Sequence, residues 1–140
     1  MPRYAASRLL LAPLEDVWSF VAEPYNLADW WPGISGVEPD RRGLAPGARW
    51  KVVGPNEPSY FRRPQATGTL VVLDVVPMRR IAFQLTADRI DVDLELRPVE
   101  GRRTEATLAV DGPWRIGRRQ ASPRHALERL HALLQTAADV

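Results

Sequence analysis

The chain has 140 residues, 45% hydrophobic and 26% charged, with a formal net charge of +2 at pH 7 and no cysteine. That length gives room for one ordinary core, the composition excludes disorder and fibrous repeats, and the lack of thiols excludes disulfides and thiolate metal sites, which fits a cytoplasmic location. The sequence pI of 9.5 rests on arginines set in scattered pairs, such as Arg41-Arg42, Arg79-Arg80 and Arg118-Arg119, rather than along one face, so no nucleic-acid partner is expected.

Residues 3–11 read as a first strand, with Ala5, Ser7, Leu9 and Leu11 on one face. The apolar run 9–14 meets Glu15 and Asp16 at once and is too short for a signal segment or a membrane span, so no membrane insertion is expected. Pro13 suits the first turn of a helix, Glu15 and Asp16 favour its positive end, and Leu14, Val17, Trp18 and Val21 recur at helical spacing. Pro24 breaks that helix, and residues 25–31 form a second short one before Pro32-Gly33.

From Ile34 the helical period gives way to extended segments separated by turn residues. Short strands are expected near 34–38 and 48–53, with a turn at 43–47 and a Pro-rich and Gly-rich loop at 54–64. A long apolar strand covers 65–76; Asp74 interrupts it, and a bulge there would decide which side that carboxylate faces. Residues 79–86 place Ile81, Phe83 and Leu85 on one side, and Ala87-Asp88 reads as a tight connection. The clearest alternation follows: Ile90, Val92, Leu94 and Leu96 point one way, while Asp91, Asp93 and Glu95 point to solvent, within reach of Arg103 on the next strand. Residues 98–102 read as a turn, and Ala106, Leu108 and Val110 continue the buried face.

Ser122-Pro123 is a helix start, followed by an apolar stripe of Ala126, Leu127, Leu130, Leu133, Leu134 and Ala137. Residues 114–121 are either an earlier turn of that helix or a separate lead-in. The whole is one α+β domain, 1–140, a mostly antiparallel sheet of about six to seven strands with two short helices after the first strand and a long helix last. Six or seven strands span roughly 30 Å and one helix only about 10 to 12 Å. The sheet must therefore curve around the helix, and unfilled volume becomes a pocket.

The segments Ala12-Pro13-Leu14-Glu15-Asp16-Val17-Trp18, Pro24-Tyr25-Asn26-Leu27 leading to Trp30-Trp31-Pro32-Gly33, and Pro46-Gly47-Ala48-Arg49-Trp50 occur in that order, with 77–81 after them. In these motifs and in element order the chain resembles the START-like, helix-grip superfamily called SRPBCC, near its polyketide cyclase/dehydrase-like branch. The resemblance implies a cavity between sheet and last helix. It implies no single chemistry, because that superfamily has no shared catalytic motif.

The candidate wall residues are Trp30, Trp31, Trp50, Phe83, Leu94, Leu108, Leu127 and Leu130, with Tyr60 and Phe61 as a lid and Tyr25 near the mouth. His125 and His131 lie about 240° apart on one helix, so they share no face and no metal site is expected; His131, beside Leu127 and Leu134, could reach the cavity. The serines show no nucleophile-elbow pattern and the glycines no phosphate cradle, so neither triad hydrolysis nor a nucleotide cofactor is expected. Catalytic residues remain unassigned. The leading expectation is binding or carriage of a small hydrophobic or aromatic molecule without a cofactor, with a cofactor-independent cyclase or dehydratase and a protein-interaction module as alternatives.

Overall fold

The computed structural model describes residues 3–31, 34–53, 67–86, 89–112 and 123–138. In chain order the elements are β1 (Arg3–Leu10), α1 (Leu14–Val21), a 3-10 turn (Pro24–Asn26), α2 (Leu27–Trp30), β2 (Gly36–Glu38), β3 (Arg49–Val53), β4 (Thr67–Val76), β5 (Arg80–Leu85), β6 (Ile90–Val99), β7 (Arg103–Asp111) and α3 (Pro123–Ala138). The seven strands form one curved sheet of order β1-β7-β6-β5-β4-β3-β2, and every neighbouring pair is antiparallel. This is the expected α+β helix-grip architecture. The expected loops at 54–64 and 87–88 and the segment 114–121 lie outside the described residues.

The inner face follows the period-two pattern. Ile81, Phe83 and Leu85 of β5, Ile90, Val92, Leu94 and Leu96 of β6, and Ala106, Leu108 and Val110 of β7 are all buried. A one-residue slip of β6 would exchange its four apolar residues for Asp91, Asp93 and Glu95, so burial fixes the register. On the outer face the polar residues are joined across strands. Arg80 of β5 bridges Asp74 of β4 at 2.8 Å and Asp93 of β6 at 2.6 Å, Gln84 donates to Asp91, and Arg97 donates to Glu105. Arg80 therefore takes the place expected of Arg103, whose Nε donates instead to the Glu100 carbonyl; Arg103 pairs opposite Val99, too far along the strand to face the acidic row.

Three local features differ from the sequence pattern. In β1, Ala5, Ser7 and Leu9 do share a face, but it is the outer one: Leu9 and Leu11 are exposed, while Leu10 is wholly buried opposite Thr104. In β4 the register shifts between Val72 and Asp74, so Leu73 and Asp74 both turn outward and Val75 returns to the core side. One extra residue in a strand reverses the parity of all that follows, and this settles the orientation of Asp74. Finally, β6 runs through Pro98 to Val99, paired with β7, and the turn is confined to 100–102. Since β5 reaches only as far as Glu95, Pro98 has a strand on one side alone and its missing N–H costs no ladder bond on the other.

The inner face is covered by two groups that meet where α3 packs on α2. α3 packs on β1, β7 and α2, with Ala126, Leu127, Leu130 and Leu134 buried beneath it. α1, the 3-10 turn and α2 close the opposite part. The buried Thr104 hydroxyl donates to the Ala12 carbonyl at 2.9 Å, tying the start of α1 to β7, and the Asn26 side-chain amide donates to the Phe20 carbonyl near the end of α1. Arg129 of α3 reaches the Ala28 carbonyl of α2. These bonds hold α2, and with it two adjacent tryptophans, over the sheet.

Candidate functional site

The turn between β2 and β3 is shaped by Asp40. Its carboxylate accepts from the backbone N–H groups of Arg42 and Arg49, both at 2.9 Å, and these bonds hold it below the usual carboxylate range, the Arg49 bond most of all. The turn carries Leu44, the one large apolar side chain between Gly43 and Gly47. Trp50, buried on β3, donates its indole N–H to the Gly43 carbonyl at 2.8 Å and so fixes the turn against the sheet.

Behind Leu44 lies a small apolar cavity. Its floor is Trp50, Leu70, Val72, Ile81, Phe83 and Leu94 from β3 to β6, and its roof is Val21, Pro24, Leu27 and Trp30 from α1, the 3-10 turn and α2, with Leu44 beside them. The volume is about 10 Å³, the room of a single water. None of these side chains titrates. Trp30, 2% exposed, is packed edge-to-face on Trp31, with ring centroids 6.1 Å apart, and Trp31 in turn packs edge-to-face on Phe83, also at 6.1 Å. Such pairs contribute about 0.5–1.5 kcal/mol beyond the area they bury.

Trp30 also carries the one buried side-chain polar atom, among the described residues, that has no hydrogen-bond partner: its indole Nε1. A buried donor left unpaired costs about 1–3 kcal/mol. The sequence identifies Trp30 as a wall residue but gives no sign that its N–H is unpaired, because that depends on which atoms the fold brings near it.

Of the candidate residues, Trp30, Trp50, Phe83 and Leu94 meet at this cavity. Trp31, Leu108, Leu127 and Leu130 are buried within the packed core and do not border the cavity. Tyr25 is 65% exposed and points away from the core, and Tyr60 and Phe61 lie outside the described residues. Leu44, Val21 and Ile81 also border the cavity; a leucine within the turn between Gly43 and Gly47 is the available sequence signal for Leu44. A larger open groove of about 470 Å³ on the outer face includes Arg80, Glu95, Arg97 and Glu105, but Arg80 and Arg97 are already engaged by carboxylates. Among the described residues there is no group of three or more His, Asp or Glu placed to hold a metal, and no helix long and apolar enough to cross a membrane.

His131 is half-buried on α3, the helix that packs on β1, and is absent from the cavity wall. Burial, and secondarily the charge of Arg8 on β1, lowers its pKa below the ordinary 6.5. The native state thus favours the neutral ring, whereas the unfolded chain takes up the proton at the ordinary value. The stabilisation is complete above about pH 6.5 and is lost as pH falls through the depressed native value. Stability measured by urea denaturation should therefore decline from pH 7.5 to 5.5, and His131→Gln should flatten that slope. An unchanged slope in the variant would assign the decline to other groups.

The fold recurs in solved structures. A structural-genomics protein from Nitrosomonas europaea superposes with a TM-score of 0.74 at 18% identity, covering 99% of this chain and 97% of that one. A Bacillus halodurans protein gives a TM-score of 0.71 at 21% identity, covering 96% and 97%. The di-domain ARO/CYC BexL from the BE-7585A biosynthetic pathway gives 0.74 at 17% identity, covering all of this chain and 48% of that one. No curated protein sequence matches the chain significantly. The family model described as "Polyketide cyclase / dehydrase and lipid transport" matches residues 1–136, and the chain belongs to that family.

Proposed function

We propose that the protein binds a small hydrophobic or aromatic molecule in the recess between β3–β6 and the roof formed by α1, the 3-10 turn and α2. The observation that carries this reading is the cavity wall itself: eleven described residues, all apolar or aromatic, converge from seven elements and a turn, and one of them, Trp30, carries an unpaired donor. Ligand sites are typically of this composition, an apolar surround with very few polar groups. The family's description names cyclase or dehydrase chemistry and lipid transport together. That none of the described wall residues titrates supports holding a molecule over transferring its protons.

A volume of about 10 Å³ is smaller than any organic ligand, so occupancy requires the wall to yield. Leu44 is the side chain best placed to do so: it sits in a turn outside the strand ladder, only partly buried, under the Trp50–Gly43 bond. Native mass spectrometry of freshly purified protein should reveal a retained small molecule. Naphthalene should stabilise the emptied protein by mass action, by about 2.7 kcal/mol at a hundredfold excess over its dissociation constant. Absence of both a retained mass and a thermal shift would overturn the proposal.

A further inference from the structure

We propose that the molecule held in this recess is uncharged and carries a hydrogen-bond acceptor oxygen, which docks on the indole N–H of Trp30. This inference rests on the recess being a ligand site and specifies what it selects. Two tryptophans stand in the same wall. Trp50 donates to the Gly43 carbonyl at 2.8 Å, whereas the Trp30 Nε1, equally buried, has no partner among the described residues. An indole nitrogen can only donate, so the missing partner must be an acceptor.

Water is a poor candidate for that partner. The cavity has the volume for one, but a buried water needs two to four polar contacts, and the described wall residues carry only two polar side-chain atoms, the indole nitrogens of Trp30 and of Trp50, the latter already engaged. An oxygen attached to an apolar frame needs only the one donor, because its frame is matched by the rest of the wall. Charge is excluded by the same wall. Among the described residues no Arg, Lys or His borders it to compensate a carboxylate or phosphate, and no Asp or Glu to compensate an amine. The acceptor is then a ketone, ester, ether or hydroxyl oxygen on a ring-bearing or alicyclic body.

Acetophenone and α-methylstyrene test this directly, since they share one shape and differ in C=O against C=CH2. In the unmodified protein, acetophenone should move the Trp30 indole proton resonance downfield, while α-methylstyrene should bind without doing so. Trp30→Phe should reduce the preference for acetophenone over α-methylstyrene about tenfold, the size of one neutral hydrogen bond. If both probes bind but neither the resonance nor the preference responds, the acceptor contact is wrong and the cavity stands. If neither binds, the cavity reading fails and the contact falls with it. Benzoate binding more tightly than acetophenone would overturn the restriction to neutral molecules. Should Trp30→Phe not fold, the resonance in the unmodified protein decides alone.

Discussion

Leu130→Ala should lower the unfolding free energy by about 2–5 kcal/mol, the range for removing a fully buried leucine. Leu130 is 0% exposed and stands in the centre of the α3 stripe, between Leu127 and Leu134, over β1 and β7. The cost has two parts: the lost transfer of three side-chain carbons, Cγ and its two methyls, into the core, and the void that the helix and sheet cannot close because both are rigid. Urea denaturation should show a lower midpoint with an unchanged slope, the signature of lost stability without a change in exposed surface. A loss under about 1 kcal/mol would mean that the core beneath α3 can collapse around a void, contrary to close packing. The same burial makes Leu130→Trp costly, since Leu130 is wholly buried and does not line the recess under α1 and α2.

The strands at the middle of the sheet were legible because two independent signals agreed there. In β6 the apolar residues alternate with Asp91, Asp93 and Glu95, so that only one orientation avoids burying charge. β1 lacked that second signal. Its apolar residues run consecutively from Leu9 to Ala12, so parity alone cannot choose between Leu9 and Leu10; the choice is made by pairing with β7, a hundred residues later in the chain. In β4 a single extra residue reversed the pattern after Val72, and the reason lies across the sheet, where Arg80 gathers Asp74 and Asp93 into one cluster.

The candidate site was legible in part for a similar reason. Residues were correctly placed on the inner face of their strands, but the division of that face between two covers depends on where α3 lands. α3 packs over β1 and β7, and Leu108, Leu127 and Leu130 are buried in the core there. The space under α1 and α2 is left to Trp30, Trp50, Phe83 and Leu94. No local pattern in the sequence carries the position of a helix along a sheet seven strands wide.

Phe83→Ala is expected to have the largest effect on the recess itself. Phe83 is 3% exposed, borders the cavity and packs edge-to-face on Trp31 at 6.1 Å, so the substitution should cost about 3–5 kcal/mol. Unlike the void under α3, the one left here adjoins a cavity that already exists, and the two would merge into a space the size of an aromatic ring. Apolar cavities of that kind stay dry and accept benzene. Benzene at a hundredfold excess over its dissociation constant should therefore restore about 2.7 kcal/mol to Phe83→Ala, while leaving Leu130→Ala less affected. Calorimetric melting of both variants with and without benzene distinguishes the outcomes. Equal rescue of the two would show that benzene fills any void regardless of place. Rescue of neither would mean that the wall closes when Phe83 is removed, and that the recess has no capacity to hold a ring.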